Sequence, residues 1–327
     1  MAKAYEIPQS KEERTTDEMR RMEVYNELVV SRRKRSILTG RITQCQINES
    51  ASDLKMRVMA AVDYKGWKVI IPIGLMGLEL DHLDADEYSK AQKESLYQRY
   101  LISMLGSTIN FIVHQSENSI NSAGRIVLGD RDAAMKKMQH EYYIKVNKAS
   151  QKSKMERAFE AETLVKGRVV STNKSSCFVE VYGKQVQILK KEMSWRFVST
   201  VGDVVHNDDI VNLKILDLRV NHETEEIDLA VSIRAAQDNT IKRNMRNYKE
   251  KSTVMGIVSG IKDGYWIQVG NYENGIDIYC KKVNCLDSIC EGDQVAVTIF
   301  SMNYETGQIF GSIENVIKRK NPFNYAA

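Results

Sequence analysis

The chain has 327 residues, 43% of them hydrophobic and 28% charged, an ordinary globular composition that excludes a wholly disordered chain. Lys and Arg number 47 against 43 Asp and Glu, a formal charge of +4, so any basic surface for nucleic acid must be local. Only 3 Pro and 18 Gly exclude collagen-like and Pro-rich architectures, and the length implies two or three domains.

Residues 1–8 lack the apolar core of a secretion signal. The longest apolar stretch, Trp67 to Leu80, carries Lys68 and Glu79, whereas a spanning helix needs about 20 apolar residues. The expectation is a cytoplasmic protein without a membrane partner. Five cysteines, an odd number in a chain long enough to build a core, read as free thiols in a reducing compartment.

Residues 1–35 form a helical, basic leader. Thr15 and Glu18 have capping-box spacing, since a hydroxyl and a carboxylate three apart satisfy the first free N–H groups of a helix. Met19, Met22, Tyr25 and Val29 then share one face, which either packs on the following unit or docks a protein partner. The run Arg32-Arg33-Lys34-Arg35 ends this leader, and its cations suit either phosphates or the helix C-terminus.

Three segments then share one outline. Each opens with a β-like stretch holding a Gly: Ile37 to Thr43, Leu164 to Val170, and Thr253 to Ser259. Each closes with alternating runs: Leu105 to Val113 and Gly124 to Leu128, Ile210 to Leu216 and Ile227 to Ile233, Gln294 to Phe300 and Gln308 to Ile313. Apolar and polar residues alternating in β-branched runs predict half-buried strands. Five strands per unit predict small closed barrels, because closure removes exposed edges. The fold class is therefore mainly β: tandem five-stranded barrels joined by α-helical connectors. The predicted units are 36–130, 164–236 and 252–316, with connectors at 131–163 and 237–251 and a basic tail at 317–327. A further helix, opened by Asp84 and Glu87 and running to about Leu105, is expected inside the first unit.

The second unit resembles the ribosomal protein S-one RNA-binding domain family. Gly167-Arg168-Val169 matches its opening strand, Ser175-Ser176-Cys177-Phe178-Val179 its Phe-Gly-Ala-Phe-Val segment, and Glu192-Met193-Ser194-Trp195 its Glu-Leu-Ser-Trp stretch. Val201 to Val205 and Leu229 to Arg234 match the closing strands. The third unit is similar through Gly264, Tyr265 and Trp266 and the turn Glu291 to Asp293, and the first, most divergent unit keeps Gly40, Gly66 to Pro72 and Gly124-Arg125. The first of the family's two stacking aromatics is replaced by Ser175 in the second unit and by Asp263 in the third.

The resemblance implies S-one-type OB-fold barrels that bind single-stranded RNA, with messenger RNA in translation as the expected setting. Aromatic rings would stack on bases while Lys and Arg meet phosphates. On the second unit the candidates are Arg168, Lys174, Phe178, Tyr182, Lys184, Lys190 and Lys191; on the third they are Tyr265, Trp266, Tyr279, Lys281 and Lys282. Neighbouring Tyr265 and Trp266 point to opposite faces of a strand, and the motif turns Trp266 outward. Further phosphate contacts are Arg32, Arg33, Lys34, Arg35 and Arg125. The N-terminal helix and first unit would face the small ribosomal subunit or another protein. An OB-fold scaffold and a single-stranded DNA binder are the alternatives.

Catalysis has no motif behind it. The five His are scattered, and there is neither a Gly-x-x-x-x-Gly-Lys loop nor a Gly-x-Gly-x-x-Gly. Cys280, Cys285 and Cys290 recur every five residues, which is not the paired spacing of a zinc site. The expectation is a binding protein, not an enzyme, without cofactor or metal.

Overall fold

The computed structural model describes residues 11–78, 88–121, 124–145, 164–221, 223–271, 274–282 and 289–320. Helix α1 (Lys11–Lys34) leads into β1 (Leu38–Ile47), the one-turn α2 (Leu54–Arg57), β2 (Val58–Tyr64), β3 (Trp67–Pro72), α3 (Lys90–Ser103), β4 (Thr108–Val113), the short β5 (Ile120–Asn121) and β6 (Ile126–Asp130). The strand order is β3-β2-β1-β4-β6-β5, and a parallel β3–β6 pairing closes the first barrel. Alternation sends Ala60, Val62, Ile109 and Phe111 inward, and Trp67 is buried with them as a plug.

Helix α1 packs on this barrel through a stripe that shares Tyr25 with the predicted face, its ring 6.1 Å from Trp67, but leaves out the two methionines. Val24, Leu28 and Ser31 are buried, whereas Met19 is 64% and Met22 61% exposed. The spacing of four and three residues between those buried positions keeps them on one face. Ser31 Oγ donates to the Ser36 carbonyl (2.7 Å) and accepts from the Val113 amide (3.1 Å), tying the helix end to the barrel. The helix begins at Lys11, upstream of Thr15, so Thr15 and Glu18 do not open it. Similarly, α3 starts at Lys90, where Ser89 and Gln92 make a reciprocal capping box. Asp84 and Glu87, expected at that position, lie outside the described residues.

Helix α4 (Arg131–Gln139) follows the first barrel and widens into a π turn over His140–Ile144. The second barrel comprises β7 (Val165–Thr172), β8 (Ser176–Val181), β9 (Lys184–Leu189), β10 (Ile210–Val220) and β11 (Ile227–Ser232), ordered β11-β10-β7-β8-β9. After α5 (Thr240–Asn244) comes the third: β12 (Thr253–Ile261), β13 (Gly264–Val269), β14 (Ile276–Lys281), β15 (Gln294–Asn303) and β16 (Gln308–Lys318), closed as β12-β13-β14-β16-β15. In all three units the first strand lies between the second and fourth.

Each seam between barrels holds a buried arginine. At the first, Arg131 has no exposed surface and its Nη2 contacts Glu180 Oε2 on β8 at 2.7 Å, while Nη1 donates to the Met76 carbonyl (2.7 Å). Asn110 Nδ2 also donates to Glu180 (3.0 Å) and Ser107 Oγ to the Val170 carbonyl (2.7 Å). Asp208 accepts from Arg168 and from the Thr108 amide; burial alone would raise its carboxyl, but these partners outweigh it and hold the group below its usual range. The turn between β8 and β9 meets α4 closely. Gly183 has φ 84° there and lies so near the Met135 carbonyl that a Cβ would clash.

Two stability predictions follow from these burials. Removing one member of a buried pair strands the other, so Arg131→Ala should lower stability by about 3–5 kcal/mol; the double variant Arg131→Met, Glu180→Leu should recover much of that loss in urea titrations. Burial pushes the Cys177 and Cys280 thiols up to about 12 from an ordinary 9.0 and raises the Tyr143 phenol. These acids hold their protons more tightly when folded, so their contribution is complete below about pH 9 and declines as pH rises toward 12. Urea midpoints should fall between pH 8 and pH 10.5; an unchanged midpoint would contradict this.

Candidate nucleic-acid interface

The outward face of the third barrel carries a row of aromatic rings. On β13, Tyr265, Ile267 and Val269 point into the core, so Trp266 points out. On β14, Ile276, Ile278 and Cys280 point in, leaving Asp277, Tyr279 and Lys281 on the same outer face. Register sets Trp266 opposite Tyr279, with ring centroids 5.3 Å apart. Tyr279 pairs in parallel with Phe310 of β16, and their rings meet edge-to-face at 6.2 Å. Phe310 in turn lies 6.4 Å from Phe300 of β15, itself 59% exposed. Such spacings suit attraction between ring faces and edges.

One end of the row is covered by the loop after β9. Arg196 is buried, and its Nε (3.1 Å) and Nη2 (2.7 Å) donate to Asp277 Oδ1. Its Nη1 also reaches the Asn271 carbonyl (2.7 Å), and the Phe197 amide donates to Asp277 Oδ2 (2.5 Å). The Phe197 ring stacks on Trp266 at 4.9 Å and 12°. Gly260 makes room for it, since a Cβ there would run into that ring. Beside the stack, a groove of about 1020 Å³ opens between the two barrels, lined by Lys190, Lys191, Lys262, Trp266, Tyr279 and Phe310 among others.

The S1 RNA binding domain family matches residues 158–232, the span of the second barrel. This chain contains an S1 RNA-binding domain. No curated protein sequence matches the chain at a significant level. Three solved structures are similar. The a/eIF2alpha-aDim2p-rRNA complex from Pyrococcus horikoshii OT3 aligns with 22% identity and a TM-score of 0.20, over 25% of this chain and 49% of that one. A multidomain protein with nucleic acid binding domains from Streptococcus pneumoniae TIGR4 aligns with 11% identity and a TM-score of 0.18, over 86% and 73%. Mycoplasma genitalium RNase R aligns with 10% identity and a TM-score of 0.20, over 48% and 22%. The chain thus spans about half the length of the first of these and under a quarter of the last.

Within the S1 domain, the structure covers most of the side chains the sequence singled out. Phe178 points outward from β8, but the first barrel packs over it, with Leu78 and Tyr100 lining the same small cavity. Tyr182 is stacked on Tyr142 at 3.5 Å and 9°. Arg168 is paired with Asp208 (2.8 Å), and Lys184 lines the seam with the first barrel. Lys190 donates to the Ser199 carbonyl. Lys174 and Lys191 are exposed. On the third barrel, Tyr265 leaves the candidate set because it lies in the core; Trp266, Tyr279 and Lys281 share one face, and Lys282 is exposed beyond them. Arg33 and Lys34 are exposed and Arg32 and Arg35 half-buried at the end of α1, while exposed Arg125 sits at φ 50° in the turn before β6. These five cations lie on the N-terminal leader and the first unit and do not line the groove.

Phe197, Phe300 and Phe310 were not singled out from the sequence. For two of them a signal existed: Ile299 and Ile309 face the core, so period-two alternation turns Phe300 and Phe310 outward. Phe197 lies in a loop with no periodicity to read. Among the described residues, no cluster of three or more His, Cys, Asp or Glu could hold a metal, and no helix is long and apolar enough to cross a membrane. Cys285 lies outside the described residues.

Gly260→Ala should expel Phe197 from Trp266. Overpacking of this kind costs about 1–3 kcal/mol, and thermal unfolding followed by tryptophan emission should report both the lower midpoint and a changed native spectrum.

Proposed function

We propose that this protein binds single-stranded RNA on the aromatic face of its third barrel. The observation that carries this reading is the run of ring contacts from Phe197 through Trp266, Tyr279 and Phe310 to Phe300. A single strand presents bases as flat faces, and each base stacked on a ring is worth about 1–3 kcal/mol. Lys262 and Lys281 flank the row with exposed cations suited to the backbone. The matched S1 family, RNA-binding by its description, supports RNA over other polyanions. The proposed role is binding without catalysis, in the cytoplasm, with messenger RNA in translation as the setting that the S1 resemblance implies.

A second reading, an OB-fold scaffold within a larger complex, draws on the burial of Phe178 and Glu180. In the second barrel that face packs against the first barrel of the same chain. Exposed Met19 and Met22 on α1 would extend the same use to an external partner such as the small ribosomal subunit.

Fluorescence anisotropy with labelled single-stranded RNA, single-stranded DNA and duplex DNA separates these readings. The RNA reading expects tighter binding to single strands, preference for RNA and weakening with salt. Phe310→Ala and Phe300→Ala should each reduce RNA affinity by about 1–3 kcal/mol. Phe178→Ala should lower stability while leaving RNA affinity unchanged. Absence of binding at tens of micromolar protein would leave the scaffold reading.

A further inference from the structure

The groove beside the aromatic row has two banks on two barrels. One bank is the third barrel, with Trp266, Tyr279 and Phe310; the other is the second barrel, with Ser175, Leu189, Lys190 and Lys191. The cations around it differ in availability. Arg196 is neutralised by Asp277 (2.7 Å). Arg234 pairs with Glu192 (3.1 Å) and lies over the Trp195 ring (4.9 Å). Lys190 is turned onto the Ser199 carbonyl. Lys191 and Lys262 are exposed, one on each bank, and neither makes an ion pair among the described residues. Rings line one wall and a cation stands on each side, which is the arrangement a single strand needs: bases against aromatic surface, phosphates toward charge.

We propose that the groove is a composite single-strand site, in which the third barrel stacks the bases and Lys191 of the second barrel contacts the phosphate backbone. The inference rests on the RNA-binding reading above and adds to it the second barrel as a working wall of the same site. Arg196 is then a positioning residue. It touches no ligand, but through Asp277, Asn271 and Ile276 it fixes the distance between the banks. Phe197, stacked on Trp266, closes the inner end of the row and leaves Tyr279, Phe310 and Phe300 for bases.

The test uses the full chain and a labelled oligouridine, titrated at several salt concentrations. Lys191→Ala should weaken binding and reduce the steepness of log K against log salt by about 0.7, the value for one phosphate contact on a single strand. Arg99→Ala, which removes an exposed cation on α3 of the first unit, should change neither. If Phe310→Ala weakens binding while Lys191→Ala matches the wild type in affinity and slope, the composite site is overturned and the third barrel acts alone. If the wild-type chain does not bind, the RNA reading itself falls and this inference with it. Lys191→Glu provides a second measure at the same exposed position, and it should weaken binding further than Lys191→Ala.

Discussion

Two buried arginine–carboxylate pairs set the geometry of the whole molecule. Arg131 meets Glu180 across the first seam and Arg196 meets Asp277 across the second, each at 2.7 Å. Neither pair is well suited to supplying stability for its own sake, because two charges lose their water to form it. Their directional hydrogen bonds do suit them to fixing orientation. Arg196 makes four such bonds to β14 and the loop before it, and Arg131 reaches three separate parts of the chain, at Met76, Glu180 and Gln185. Three barrels that could hang on flexible linkers are thereby held in a set relation.

Both seams use the same kind of surface. The carboxylates stand on the outward faces of a second strand (Glu180 on β8) and a third strand (Asp277 on β14), so each barrel receives its predecessor on the outward face that carries Phe178 in the second barrel and Trp266 and Tyr279 in the third. In the second barrel the coverage extends over Phe178. In the third it stops part-way: Asp277 is sealed and one face of Trp266 is taken by Phe197, but Tyr279 and Phe310 remain beside the groove and Phe300 is open. The aromatic face is therefore left open to different extents in the second and third barrels, by how far the preceding unit reaches over it.

The strands were legible because alternation is local: Ile210 to Leu216 and Gln308 to Ile313 each report their own inward and outward residues. The same rule separates Tyr265 from Trp266 and would have exposed Phe300 and Phe310. It fails for part of α1, where Met19 and Met22 are apolar yet exposed while Tyr25 packs on the barrel beside Val24, Leu28 and Ser31. How far along a helical stripe the contact runs depends on where the barrel surface lies, which no helical period contains. It fails again at Thr15, whose capping residues lie within a helix that had already started.

The sequence by itself determined three mainly β units, their order, and the type of barrel, because period-two patterning and turn spacing are properties of consecutive residues. Which outward aromatic remains available was decided only in three dimensions. Phe178 and Trp266 occupy equivalent strands, and nothing near either in sequence says that Leu78 and Tyr100 will cover the first or that Phe197 will stack on the second. Those contacts join residues about 70 to 100 positions apart, at the same seams where Arg131 and Arg196 meet carboxylates on the faces of other barrels.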